Sequence, residues 1–410
     1  MMTRNLFLSR AFAASLALLL CGLLLAEPAV SVRAQSRRLP PTTDTQQQKK
    51  NKRPDPSEQK EQEPDPQDVL PEVETVKVST SLVNVEAVVY HKKSGKIIQG
   101  LKKENFAVFE DGVQQPITNF STPEAPITVS VVLEYSKLGS MFGFYGSGGQ
   151  EPGRYEVLRP VAAFVSQVVR PPDDYVAVIA YDMRATPITD FTNDPQRLNQ
   201  VVNLLLRNHP VSNEANLFDA LKLTLVGGRA ESVILDNPKE SMAEYAGMAS
   251  LQGRRKAVFL VSSGIDTFSR TNYDQARKIA QNAGVPIYII GTGNLFFKKY
   301  GDQMGALDGL GGATTPGRMT MLQAQNALKT FARETGGEYF PITFEGEISS
   351  ALQSINALMR SQYSLGYNPG ERRDGKQHKI VVKVDVDGDG QYDDKEYVVK
   401  NRQFYNAPKS

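Results

Sequence analysis

The chain has 410 residues, 40% of them hydrophobic, with 47 Lys and Arg against 45 Asp and Glu for a net charge of +2. That length and composition suffice for two or three buried cores. The balanced charge marks no face for nucleic acid, and a single cysteine, Cys21, leaves no disulfide framework.

Arg4 and Arg10 precede an apolar stretch from Ala11 to Ala26, broken only by Ser15 and Gly22. Val32-Arg33-Ala34 before Gln35 has the small residues of a cleavage site, so residues 1–34 are predicted to be a signal peptide. The run is shorter than the about 20 residues of a comfortable membrane span. An N-terminal anchor is the alternative, and Leu20 before Cys21 speaks against a lipoprotein signal. Once the leader is removed, the mature chain has no cysteine, no thiol nucleophile and no predicted membrane span. Residues 35–74 turn to Gln, Lys, Asp and Pro, as in Gln46-Gln47-Gln48-Lys49-Lys50. Such a segment buries too little apolar area to offset its ordering entropy and is predicted to be a disordered tether.

Residues 75–122 form a predicted β-rich module. Val83, Val85, Ala87 and Val89 share one face of a strand, and Lys93-Ser94-Gly95-Lys96 turns the chain. A second pair, Phe106 to Phe109 and Val113 to Ile117, is joined by Glu110-Asp111-Gly112, a strong hairpin signal.

From residue 125 to 367, strands and helices alternate, which predicts a doubly wound, mostly parallel α/β sheet. Ile127 to Leu133 and Tyr175 to Tyr181 read as strands, with Tyr155, Leu158, Ala162, Val165 and Val169 at helical spacing between them. Val201, Leu204 and Leu205 mark a helix after Asn193-Asp194-Pro195, and Leu217, Ala220, Leu221 and Leu225 mark the next. Ala257 to Val261 and Pro286 to Ile290 are buried strands by the same test. Leu328, Phe331 and Ala332 precede Gly336-Gly337, a fitting helix stop, and a last helix from Ile348 to Arg360 leads to a strand from Gln362 to Tyr367.

In such sheets ligands bind at the carboxyl ends of strands. Three segments fall there: Glu134-Tyr135-Ser136-Lys137-Leu138, Asn213 to Leu221 around Ala215, and Ser262-Ser263-Gly264-Ile265-Asp266. Their order and framing resemble a von Willebrand factor A domain. In that family the first strand ends in Asp-x-Ser-x-Ser, a middle loop gives a Thr and a later strand gives a second Asp. By that resemblance Glu134 stands for the first Asp, Ser136 matches, Leu138 replaces the second Ser, Ala215 sits near the Thr and Ser263 replaces the second Asp. The stretch from Gly100 to Ile117 and the exit Arg360-Ser361-Gln362-Tyr363-Ser364-Leu365-Gly366-Tyr367 are similar to secreted bacterial VWFA-related proteins of the acidobacterial type. The resemblance implies a metal-dependent adhesion site that is degenerate here. Mg²⁺ needs octahedral oxygen ligands at about 2.0–2.1 Å. Leu and Ala side chains supply none, so Mg²⁺ is not expected.

Residues 368–410 form a predicted β extension around Asp385-Val386-Asp387-Gly388-Asp389-Gly390-Gln391-Tyr392-Asp393-Asp394-Lys395-Glu396. This matches the twelve-position calcium loop. Asp385, Asp387 and Asp389 stand at positions 1, 3 and 5 and Gly390 at 6. Gln391 offers its carbonyl, Asp393 follows, and Glu396 closes the shell. The flanking runs, Lys379 to Val384 and Tyr397 to Lys400, are strands rather than helices, so a plain acidic hairpin turn is the alternative to Ca²⁺.

His91, His209 and His378 are scattered and are expected at the surface, which leaves no zinc or His-based triad. Gly291-Thr292-Gly293 lacks a third glycine and an obvious opening helix, and Tyr145-Gly146-Ser147-Gly148-Gly149 reads as a flexible loop. After Ile290 comes a long insert in which Phe296 and Phe297 form either a contact patch or rings folded on the sheet edge. The expectation is an exported, non-enzymatic module for protein partners, in the periplasm, at the cell surface or secreted. The alternatives are an envelope hydrolase with Ser136 or Ser263 as nucleophile and Asp266 in support, and a purely structural envelope component.

Overall fold

The computed structural model describes residues 82–408 except 138–160, 163, 166–169, 171, 209, 211, 232–241, 252–253, 303, 309–315, 345 and 371–373. The predicted leader, the tether, Leu138 and the Tyr145–Gly149 loop lie outside the described residues, as does most of the helix expected between Ile127 and Tyr181. Its residues 161, 162, 164 and 165 are helical.

Fourteen of the described strands fall into three larger sheets. The central one has six strands, β5 (Ile127–Glu134), β6 (Tyr175–Tyr181), β7 (Ala185–Thr192), β10 (Arg255–Ser262), β11 (Ile287–Gly291) and β12 (Tyr339–Pro341), in the order β12-β11-β10-β5-β6-β7. All pairs are parallel except β6 with β7. β10 is buried along its whole length and β5 up to Glu134, which explains their near-continuous apolar runs: a central parallel strand is covered on both faces.

Each face has its own helices. Ala257, Phe259 and Val261 of β10 face Leu198, Val201 and Leu205 of α1 (Pro195–Arg207) and Ile348, Leu352 and Ile355 of α6 (Glu347–Met359). Val258 and Leu260 point the other way, onto α2 (Leu217–Val226), α3 (Tyr273–Ala283) and α5 (Arg318–Thr335). One strand thus feeds two cores by simple alternation. Asp194 caps α1 through the Gln196 N–H, and α5 stops at Gly336 with φ +85°, where an added Cβ would lie 2.6 Å from the Arg402 nitrogen.

The two terminal β segments, separate in sequence, are hydrogen-bonded into shared sheets. β1 (Val83–His91) lies between β13 (Tyr363–Tyr367) and β15 (Tyr397–Asn401), with β4 (Ile117–Ser121) beyond β13. The facing sheet runs β16-β14-β2-β3, from β2 (Phe106–Glu110), β3 (Val113–Gln115), β14 (Gln377–Val384) and β16 (Phe404–Asn406). Val85, Val89, Phe106, Tyr363, Leu365 and Ile380 fill the space between. The expected Val113–Ile117 strand is divided at Pro116, and Tyr363–Tyr367 belongs to this sandwich rather than to the parallel sheet. The α/β unit is therefore inserted between β4 and β13. Arg255, fully buried, clamps the two crossings by donating to the carbonyls of Ala125 at 2.6 Å and Met359 at 3.0 Å.

A small antiparallel pair, β8 (Gly228–Glu231) with β9 (Met242–Tyr245), completes the described strands. No described helix is long and apolar enough to cross a membrane.

Candidate functional site

The crevice opens where the order of the parallel sheet reverses. From β5 the chain moves outward through β6, and from β10 it moves the other way through β11, so the carboxyl ends of β5 and β10 part around a cleft. Glu134 ends β5 and Ser262 ends β10. Glutamate is one methylene longer than aspartate, and here that length carries its carboxylate across the cleft. Oε1 accepts the Ser136 hydroxyl at 3.0 Å, and Oε2 accepts the Ser263 N–H at 2.6 Å. Tyr181 donates to the Ser262 oxygen at 2.7 Å, and the Ser262 hydroxyl donates in turn to Oε2 at 3.3 Å. Burial pushes the Glu134 carboxyl up, while the donors from Ser263, Ser136 and Ser262 pull against it.

The middle loop is closed by its own backbone. Ala215 is fully buried; its N–H donates to Thr267 Oγ1 at 2.9 Å and its carbonyl accepts from Thr267 at 2.8 Å. Asn216, 5% exposed, donates to the Met183 carbonyl at 3.0 Å, while its Oδ1 has no hydrogen-bond partner. Asp266 accepts the Phe218 N–H at 3.1 Å and the Ser269 hydroxyl at 2.5 Å. Its carboxylate thus caps the start of α2, and burial raises it above the usual carboxylate range. It orients no base.

This arrangement does not suit a hard dication. The one carboxylate is already met by the Ser136, Ser262 and Ser263 donors, Ala215 presents a methyl group, and Ser263 Oγ accepts the Ile265 N–H at 3.3 Å. Ser136, Ser263 and Glu134 are brought together, whereas Asp266 is turned to α2. Tyr181 and Ser262 complete the network without having been singled out in the sequence. The signal was present: both close a strand at the same end of the sheet as Glu134, and Glu134 pairs with Tyr181 in register.

Beside the cleft lies a cavity of about 450 Å³ lined by Phe218, Ile265, Asp266, Tyr273, Gln323 and Ala324. It combines aromatic and aliphatic walls with a few polar groups, the usual make-up of a binding pocket. A second cavity of about 330 Å³ lies between β6, β7 and α1 against Tyr135, Tyr181 and Asp182.

In the C-terminal loop the carboxylates of Asp385, Asp387 and Asp393 gather within 4.8 Å of one another. Asp385 accepts the N–H groups of Gly388 at 2.7 Å and Gly390 at 2.8 Å, and Asp393 accepts that of Val386 at 2.7 Å. Asp389 and Glu396 stand outside the cluster: Asp389 caps the Gln391 N–H at 2.7 Å, and Glu396 is exposed. The twelve-position shell expected from the sequence, with closure by Glu396 and the carbonyl of Gln391, is therefore formed only in part. The flanking strands do not form the expected hairpin: β14 pairs with β2 and β16, and β15 with β1, so the loop crosses from one sheet of the sandwich to the other.

Two further expectations change, and the two readings of Phe296 and Phe297 are decided. His378 is not at the surface; it is 6% exposed in β14, with Asp111 2.7 Å and Asp374 3.1 Å from its two ring nitrogens. Phe296 and Phe297 fold back onto Ile265, Met321 and Ala324 rather than forming a contact patch. A helix, α4 (Gly293–Tyr300), does open at Gly291-Thr292-Gly293, but a Cβ on Gly293 would lie 2.6 Å from the Ser263 carbonyl, so that glycine serves close packing. His91 also belongs to the sandwich, and His209 lies outside the described residues.

No family model matches the sequence, and no curated protein matches it. Solved structures do. The PilB minor pilin from Streptococcus sanguinis matches at 14% identity with a TM-score of 0.38, covering 60% of this chain and 63% of the pilin. Proximal thread matrix protein 1 from the mussel byssus, with a zinc-occupied MIDAS motif, matches at 13% identity and TM-score 0.36, over 60% of this chain and 48% of that one. The vWF domain of the type V pili tip protein Mfa5 from Porphyromonas gingivalis matches at 15% and 0.34, over 57% and 94%. The chain spans less than two thirds of the first two proteins. At such scores and identities none of the three fixes a function.

Proposed function

We propose that this chain is an exported, non-enzymatic module for protein–protein interaction or adhesion, of the secreted bacterial VWFA-related type, whose crevice engages its partner without a metal ion. The observation that carries the reading is the Glu134 network. An acid that bridges the cleft to Ser136, Ser262 and Ser263 holds the two strand ends together as a shared metal would, so the rim is shaped without one. The adjoining 450 Å³ cavity then offers an apolar side chain of a partner a place beside polar Asp266 and Gln323. Chemistry at Ser136 or Ser263 has little support, because no imidazole is placed with them among the described residues. Calcium in the Asp385–Asp393 cluster would rigidify the loop that joins β14 to β15.

The test is capture from native envelope extract by the tagged full chain, in buffer with calcium and no magnesium. The reading expects one partner retained under these conditions and lost when Gln323→Trp fills the mouth of the cavity. A partner that appears only with added magnesium and survives Gln323→Trp contradicts it.

A further inference from the structure

The β2–β3 hairpin and β14 bring together a second constellation, distinct from the calcium loop and from the crevice. β2 and β14 pair antiparallel with Ile380 opposite Glu110. Asp111 and Gly112 form the two-residue turn that follows, both at positive φ, +49° and +84°. That turn is pinned to β14: the Asp111 N–H donates to the Lys379 carbonyl and the Lys379 N–H to Asp111 Oδ1, both at 2.9 Å. Next along β14, the His378 ring stacks on Tyr405 with centroids 5.3 Å apart. Its Nδ1 lies 2.7 Å from Asp111 Oδ2 and 3.9 Å from Glu110 Oε1, and its Nε2 lies 3.1 Å from Asp374 Oδ1.

We propose that His378 Nδ1, Asp111 and Glu110 ligate a divalent transition-metal cation of the zinc class, with Asp374 orienting the imidazole. One nitrogen and two carboxylates is a ligand set suited to such an ion, with a fourth position left for water. The Asp374 contact gives the ring the setting of a metal-bound histidine. With Nε2–H donated to Asp374, a ring that gives up its Nδ1 proton turns that lone pair towards Asp111 and Glu110.

The geometry needs only a small adjustment. Ligands at about 2.0–2.1 Å from a tetrahedral ion sit roughly 3.3 Å apart. The present 2.7 and 3.9 Å separations bracket that value, and all three ligand atoms lie within 4.8 Å of one another. Glu110 and His378 are buried, while the Asp111 side chain is 44% exposed and with Asp374 gives the ion a path from solvent. The bound ion would staple the hairpin that follows β2 to a strand near the C-terminus, across more than 260 residues of chain.

The experiment is equilibrium dialysis of the full chain against Zn²⁺, with Co²⁺ absorption as a readout of ligand geometry. The expected result is one ion per chain and a tetrahedral cobalt band, both lost in His378→Ala and Asp111→Asn. Asp374→Asn should weaken binding by about 10–100-fold, as loss of an orienting carboxylate does. The double variant Asp385→Asn, Asp387→Asn should leave it intact. Asp111→Asn keeps a side-chain oxygen for the Lys379 N–H, and urea unfolding without metal checks that it and His378→Ala are folded. Absence of stoichiometric zinc, or zinc that survives Asp111→Asn and disappears with the Asp385 and Asp387 changes, overturns the proposal.

Discussion

Glu134 accepts the backbone N–H of Ser263 at 2.6 Å, joining the ends of the two central strands that a metal would otherwise have to bridge. Two consequences are measurable. Removing the acceptor in Glu134→Ala leaves the Ser263 N–H and the Ser136 and Ser262 hydroxyls to be satisfied elsewhere, which costs about 1–3 kcal/mol for a buried donor. Glu134→Gln keeps an acceptor oxygen and should lose less than half as much in urea unfolding. Calorimetry with Mg²⁺ or Mn²⁺ should show no saturable heat at the crevice; micromolar binding abolished by Ser136→Ala would reverse this reading.

Glu86 contributes a pH dependence to the sandwich. It is 4% exposed, accepts the Ser364 hydroxyl at 2.8 Å through Oε1, and has no partner for Oε2. Burial raises its carboxyl from 4.5 to about 7, against the pull of Ser364 and of the buried cations Arg255, Lys256 and Arg402. The folded state therefore holds this proton more tightly than the unfolded chain. Stability is fully present below pH 4.5, declines as pH rises to about 7, and is flat beyond that as far as Glu86 is concerned. The span corresponds to about 3 kcal/mol. Unfolding free energies across this range should fall more steeply in the wild type than in Glu86→Gln, where the remaining slope comes from Glu134 and Asp266. Parallel profiles for the two proteins would remove Glu86 as the cause.

Periodicity made the central strands and most helices of the α/β unit legible, because buried parallel strands are apolar throughout and an amphipathic helix shows one apolar stripe; α3, α4 and the short β12 were not placed. The Asp111-Gly112 turn was legible for a similar reason: few dipeptides tolerate two positive φ angles. Partnership between distant segments was not. Nothing in Val83–His91 announces that it lies between Tyr363–Tyr367 and Tyr397–Asn401, since a strand's pattern encodes which face is buried and not its neighbour. For the same reason His378 looked solitary: its partners Glu110 and Asp111 lie over 260 residues earlier. β7 was missed because polar Thr and Asp dilute an edge strand, and Arg255 and Lys256 were left outside β10 although both are buried, Arg255 donating to carbonyls at the crossings and Lys256 to the Leu251 carbonyl. In the crevice the residue types were legible, but the direction of the Glu134 side chain depends on how far β10 lies from β5.

The ion pair of Asp174 with Arg360 ties the chain just before β6 to the end of α6. Arg360 Nη2 lies 2.5 Å from Asp174 Oδ2, with side-chain exposures of 14% and 4%, and Asp174 also accepts the N–H groups of Ile127 and Arg170 at 2.9 Å. Burial alone would raise this carboxyl, but Arg360 and the two backbone donors outweigh it and hold it below the usual range. Its contribution is present above pH 3.8 and is lost as pH falls through the lower folded value. Breaking one side of a buried pair strands the other charge, so Asp174→Ala should destabilise by about 3–5 kcal/mol in denaturant unfolding. A loss below about 1 kcal/mol would place the pair among exposed, weakly coupled ones.

The acidic C-terminal loop gives the last prediction, and its geometry redirects it. Asp385, Asp387 and Asp393 converge, while Glu396 at position 12 is exposed outside the cluster. Three carboxylates this close repel one another, so a cation should order the loop and stabilise the fold. Extracellular sites of this kind bind calcium at about 10⁻⁴–10⁻³ M. Stabilisation then follows RT ln(1 + [L]/Kd), or about 2.7 kcal/mol at a hundredfold excess over Kd. Differential scanning calorimetry in calcium and in chelator should show a higher midpoint with calcium for the wild type. The gain should vanish in Asp385→Asn, which removes a carboxylate at the centre of the cluster. Glu396→Gln should keep most of it, because the exposed glutamate stands apart from the three acids; loss of the whole gain there would mean that the loop closes around the ion as a full twelve-position shell. Equal midpoints in calcium and chelator for the wild type would leave the loop as a turn capped by its own aspartates, in which Gly388 and Gly390 already bond to Asp385.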